Sequence, residues 1–150
     1  MPMNCIFCDK KLEDHLIKKY AHWNVYLSEN QSYFCDCVVA LNRHGVDRLY
    51  QLQEPERKEF FEVMEKLTLA IESHFIPDIF NAFILGNRDR NHLHLHLIPR
   101  YGREIEFEGE AFEDLDTTQP VQFPKPKRET PIEWKKKLIA LLKKELDAQG

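Results

Sequence analysis

Asn91-His92-Leu93-His94-Leu95-His96-Leu97-Ile98-Pro99-Arg100 is the stretch that decides the fold. Three of the chain's seven histidines fall here at i, i+2 and i+4, with leucines between them. Alternate side chains of an extended strand share a face. The spacing therefore predicts a strand with His92, His94 and His96 on one face and Leu93, Leu95 and Leu97 packed into a core on the other. A helix would scatter the same imidazoles around its cylinder. Imidazole titrates nearest neutrality among side chains and can be a nucleophile, a proton carrier or a metal ligand. An amphipathic edge strand with a polar outer face would also give this pattern. The functional reading is preferred, and two forms of it stay open. One is a zinc site, because His-x-His pairs on strands present two ring nitrogens to a metal. The other is attack at phosphorus by one imidazole oriented by its neighbours.

On the N-terminal side, Gly86-Asn87-Arg88-Asp89-Arg90-Asn91 is a polar turn that joins an apolar strand at 80–85 to the histidine strand, so the two read as antiparallel neighbours. Asn87, Arg88 and Arg90 put donors where an anion could be held, with a solvated hairpin tip as the plain alternative. Further upstream, Glu54-Pro55-Glu56 opens a long helix that runs to about Phe75 and is closed by Pro77. Its stripe of Phe60, Met64, Leu67, Ile71 and Phe75 faces a sheet. Residues 22–41 read as a hairpin: a strand at Trp23-Asn24-Val25-Tyr26-Leu27, a turn at Ser28-Glu29-Asn30-Gln31, and a second strand from Tyr33 to Leu41.

Cys5-Ile6-Phe7-Cys8 is a Cys-x-x-Cys knuckle, which lets two thiolates meet one zinc and needs two further ligands elsewhere. A redox role would require a thioredoxin-type βαβ context, which the sequence lacks. Cys35 and Cys37 could complete an all-cysteine site, although buried apolar thiols is the simpler reading of that pair. His44, in the turn Asn42-Arg43-His44-Gly45, could instead join Cys5, Cys8 and one histidine of the row in a closed set of two thiolates and two imidazoles.

On the C-terminal side, residues 104–116 are acidic with Ile105, Phe107, Phe112 and Leu115 interleaved, and Pro120, Pro124 and Pro126 punctuate an extended connector beyond them. This reads as a tail draped over the domain. Thr130-Pro131-Ile132-Glu133 has the form of a capping box and opens an amphipathic helix whose buried face is Trp134, Leu138, Leu141, Leu142 and Leu146. Its lysines read as a solvated face.

The 150 residues, 43% of them hydrophobic, suit one domain with a proper core. A net charge of -4 gives no footprint for a long nucleic acid. No apolar run approaches a membrane span, and the first residues do not form a signal peptide, so a cytoplasmic protein is expected. Four cysteines in that setting read as ligands or buried thiols rather than disulfides.

The run from His92 to Ile98, with Pro99-Arg100-Tyr101 after it, resembles the signature of the histidine triad (HIT) family. The knuckle, the strand ending at His44 and the long helix come in that family's order, so the resemblance spans roughly residues 1–116, with 117–150 as a connector and amphipathic helix docked on the same domain. The acidic 107–114 segment is similar to a zinc-containing bacterial branch of diadenosine tetraphosphate hydrolase-like proteins. The resemblance implies an α+β fold with an antiparallel sheet, one long central helix and a C-terminal helix, joined side by side as a homodimer. It also implies a hydrolase or nucleotidyl transferase acting at the α-phosphate of a nucleotide through a covalent nucleotidyl-histidine. His94 falls on the nucleophile and His96 beside the phosphoryl oxygens, with Cys5, Cys8, His44 and His92 as ligands of a structural Zn2+. Two positions depart from the common pattern. The loop before the triad is short and has no glutamine or serine, which leaves Asn87 to meet phosphate, and the ribose position falls on Ser28. Two other readings stand beside this one: a non-catalytic nucleotide-binding module on the same fold, and a hydrolase whose catalytic zinc sits on all three triad histidines.

Overall fold

The computed structural model describes residues 5–84, 92–122 and 127–150. Five strands form an antiparallel sheet in the order β1-β2-β3-β5-β4: β1 (Leu16–Lys19), β2 (Trp23–Leu27), β3 (Cys37–Leu41), β4 (Ile79–Phe83) and β5 (His94–Arg100). Helix α1 (Glu54–Phe75) crosses between β3 and β4, and α2 (Ile132–Ala148) closes the chain. A separate hairpin, β6 (Arg103–Phe107) and β7 (Glu110–Asp114), lies between β5 and α2.

The histidine row is extended as its period requires, although the paired strand begins only at His94. Pairing sets Ala40 opposite His94 and Val38 opposite His96, so the row shares its face with Tyr26, Val38 and Ala40, roofed by Phe7 and Leu12. The other face joins Leu93 and Leu97 to the main core, where Val63, Leu67, Ala70 and Ile71 of α1 pack. Burying each large aliphatic side chain there contributes roughly 1.5–3 kcal/mol. Trp23 fastens sheet to helix, its indole N–H donating to the Glu56 carbonyl at 2.9 Å. Helix α1 begins with Pro55 in its first turn and ends at Ile76, whose φ of 50° stops it one residue before Pro77.

Three local expectations are corrected. The 104–116 segment is a β-hairpin and not a draped tail, because Glu108 and Gly109 both take positive φ (48° and 83°), the geometry of a tight two-residue turn. Its apolar residues, with Trp134 and Phe75, surround Phe34. The predicted capping box does not form. Helix α2 starts at Ile132 with Pro131 at the cap, which leaves Thr130 one residue too early, and its hydroxyl has no hydrogen-bond partner among the described residues. The second strand of the 22–41 hairpin is shorter than predicted, because Tyr33, Phe34, Cys35 and Asp36 belong to a loop. Gln31 holds that loop. Fully buried, it accepts the Cys35 N–H at 2.8 Å and donates to the carbonyls of Ser28 (2.9 Å) and Asp36 (3.0 Å), while Cys35 turns the chain with φ 68°.

Candidate active site

The chain that leads into β5 is pinned on both sides: the Leu41 N–H donates to the Leu93 carbonyl at 3.1 Å, and the Leu93 N–H to Val46 at 2.8 Å. This fixes His92, whose Nε2–H donates to the Leu41 carbonyl. A carbonyl only accepts, so the proton must sit on Nε2 and the lone pair on Nδ1. That Nδ1 lies 3.4 Å from Cys5 Sγ, 3.6 Å from Cys8 Sγ and 3.2 Å from His44 Nδ1, and His44 Nδ1 is 3.2 Å from Cys8 Sγ. All four donor atoms lie within 4.8 Å of one another. Tetrahedral zinc with ordinary Zn–S and Zn–N bonds sets its donors about 3.3–3.8 Å apart, a spacing close to the 3.2–3.6 Å separations of the four pairs just named. The Cys8 N–H points at Cys5 Sγ (3.5 Å), and Leu41 supplies the outer partner that orients a ligand imidazole. Burial lowers the His92 imidazole from its ordinary value and so keeps it neutral, as a ligand must be. In the metal-free chain, burial and then the adjacent Cys5 push the Cys8 thiol up to about 11; a divalent cation reverses that preference.

Cys5, Cys8, His44 and His92 form a Cys2His2 cluster that could hold a structural zinc, and four protein donors would leave such an ion no vacant position. Arg43 and Glu56 brace its far side. Arg43 gives two hydrogen bonds to the buried Glu56 carboxylate (3.1 and 2.8 Å), which lowers the Glu56 pKa and ties the His44 turn to the first turn of α1. Cys35 and Cys37 take no part in the metal cluster and lie in the main core.

Two residues further along, His94 donates Nδ1–H to the His92 carbonyl at 2.7 Å, so its neutral ring carries the lone pair on Nε2. His96, half-buried, faces Asp36 with Nδ1 3.1 Å from Oδ1 and stacks on Phe83 at 5.4 Å and 13°. The three triad histidines therefore serve three different partners. His94, His96 and Ser28 together line a cavity of about 180 Å³ whose apolar wall includes Ile6, Phe7 and Leu12. A larger hollow of about 330 Å³, on the other side of Phe7 and Tyr26, borders Cys8 and His92. Asn87 lies outside the described residues.

Asp36 is the residue that sequence reasoning missed. It is 4% exposed and also takes a hydrogen bond from the Ser28 hydroxyl. Burial pushes its carboxyl up, while His96 and then Ser28 act in the opposite direction. The signal was a lone carboxylate in the apolar run from Tyr33 to Leu41, which cannot be buried there without a partner.

An antiparallel sheet that carries a row of three alternating imidazoles on one extended run is the arrangement of a histidine triad protein. The HIT domain model matches residues 12–103, and the chain belongs to that family. It is 28% identical over 113 residues to the protein named Protein hit of Bacillus subtilis (strain 168), covering 67% of this chain and 73% of that one. Among solved structures it resembles a histidine triad protein from Marinobacter aquaeolei VT8 (TM-score 0.73, 20% identity, 94% and 96% of the two chains). It also resembles a Zn-bound histidine triad family protein from Mycobacterium smegmatis (TM-score 0.67, 18% identity, 100% of both). Family membership supports nucleotide-directed hydrolase or transferase chemistry in general terms.

Proposed function

We propose that this chain is a nucleotide hydrolase or nucleotidyl transferase acting at the α-phosphate, with His94 as nucleophile and His96 as its acid, and that it falls in the zinc-containing, diadenosine tetraphosphate hydrolase-like branch of the family. The observation that carries the reading is the hydrogen bond from His94 Nδ1–H to the His92 carbonyl, which leaves Nε2 the basic nitrogen in a cavity shared with His96 and Ser28. Nε2 attacks the α-phosphorus in line, and the P–O bond to the leaving group breaks as the N–P bond forms. His96 delivers its Nε2 proton to the departing oxygen. Water then attacks the nucleotidyl-imidazole, its proton passes to His96, and the N–P bond breaks to restore His94. The zinc takes no part in these steps and holds the start of the strand that carries both histidines.

In this reading the base lies against Ile6, Phe7 and Leu12, with the ribose beside Ser28. The protein works in the cytoplasm; none of the described helices is long and apolar enough to cross a membrane. A homodimer is part of the proposal, supported by the edge position of β4 and by the exposure of Ile79 at its start and of Ile76 just before it.

The test is the intact-protein mass after brief mixing with diadenosine tetraphosphate or adenosine 5′-phosphoramidate and a basic quench. An acid-labile nucleotidyl adduct in wild type or His96→Ala that is missing in His94→Ala is the expected result. Tight nucleotide binding with neither adduct nor turnover would replace this reading with that of a binding module.

A further inference from the structure

We propose that Asp36 is a positioning residue for His96: its carboxylate accepts a hydrogen bond from Nδ1–H and so reserves Nε2 as the nitrogen that exchanges a proton with the substrate. The role in turnover rests on the function proposed above; the tautomer does not.

The two central imidazoles of the site have been given different acceptors. His94 donates Nδ1–H to a neutral carbonyl, which suits a ring that must stay neutral to attack. His96 sets Nδ1 against a carboxylate 3.1 Å away, which suits a ring that must hold a second proton and release it. When His96 gives its Nε2 proton to the leaving oxygen, the ring that remains has its proton on Nδ1 and a lone pair on Nε2. That is the form needed to accept the proton of the attacking water in the second step. Without an acceptor at Nδ1, the neutral ring could carry its proton on Nε2 and would then be unable to take one up there.

The carboxylate is held firmly enough to do this. Gln31, fully buried, donates to the Asp36 carbonyl, the Ser28 N–H donates to the same oxygen at 2.9 Å, and the Asp36 N–H reaches Tyr33 at 3.3 Å. The Ser28 hydroxyl contacts the carboxylate itself. Phe83, stacked at 13° to the ring, sets the plane of His96 while Asp36 sets its edge. Among the described residues that line the cavity beside His94, His96 and Ser28, the charged side chain is Glu29.

The experiment is 15N–1H correlation of the imidazole side chains in zinc-loaded protein, with His96 assigned through His96→Gln, beside steady-state kinetics. In wild type the neutral His96 ring carries its proton on Nδ1. Asp36→Ala moves it to Nε2 or to a mixture, and lowers kcat about 10²-fold with KM nearly unchanged. Asp36→Asn, which keeps an acceptor but loses the charge, falls between the two. Neither change lowers the residual activity of His96→Ala further. A wild-type spectrum with the neutral ring protonated on Nε2 overturns the proposal with no variant needed. So does an Asp36→Ala loss that is just as large in the His96→Ala background. Absence of turnover on any nucleotide would instead defeat the phosphoryl-transfer reading and leave the spectrum to decide on Asp36.

Discussion

At one end of the histidine row His92 donates its Nε2–H to a backbone carbonyl and turns a lone pair toward two thiols; at the other, four residues on, His96 faces a buried carboxylate. The side chains are identical and the strand is continuous. What separates them is the second partner of each ring, supplied by distant parts of the chain: Leu41 and the N-terminal knuckle for one, the 28–36 loop for the other. In this molecule the rings tied to carbonyls are those proposed as ligand and nucleophile, and the ring facing a carboxylate is the one proposed as proton donor. The metal end should therefore govern stability and the carboxylate end turnover, with Phe7 as the side chain through which the two would cross.

The sharpest break of that division is at His94. His94→Ala is expected to lower turnover about 10³-fold or more, while zinc content and Tm stay close to wild type. A large drop in Tm would mean that the two ends are not separable. Removing zinc with a chelator, or replacing Cys8 by Ser, is expected to lower Tm by about 10 °C or more, since structural zinc adds its binding free energy to folding. Calorimetry with and without added zinc measures this, and an unchanged Tm would deny the cluster a structural role. Gln31→Leu strands one buried N–H and removes the donor to two carbonyls, so a loss of about 2–3 kcal/mol in urea unfolding is expected. It should also depress kcat through the displaced Asp36, which makes it the variant that joins stability to turnover.

The smallest effect concerns a histidine outside the row. His15 is buried, and both its ring nitrogens lack hydrogen-bond partners among the described residues. Burial, and then Lys135, lower its pKa from the ordinary 6.5. Below 6.5 the unfolded chain takes up a proton that the folded chain resists, so stability falls as the pH drops through that window and is intact above it. His15→Phe is expected to remove part of this dependence, changing the Tm difference between neutral and mildly acid solution by a few degrees.

The contrast also explains which parts of the molecule were legible in the sequence. Helix α1, the histidine strand and its antiparallel neighbour each announce themselves by a period within one short window, and the metal set by a knuckle spacing plus a histidine at a strand end. Asp36 could not be found in this way. Its partner is 60 positions away, and its loop owes its shape to the Gln31 side chain, which in sequence looks like one more polar turn residue. The β6–β7 hairpin was hidden for a related reason. Its acidic outer face masks the alternation of Ile105, Phe107 and Phe112, and only the positive φ values of Glu108 and Gly109 reveal the turn.

Phe7 stands between the two ends. It lies within the knuckle, between Cys5 and Cys8, yet its ring sits 5.1 Å from both His92 and His94 and forms part of the wall of the cavity proposed for nucleotide. Whatever orders the knuckle orders that wall. On the proposed function, zinc and nucleotide are expected to be thermodynamically linked through this one side chain, each tightening the other by the same factor, and shortening Phe7 to Ala is expected to abolish the coupling in both directions.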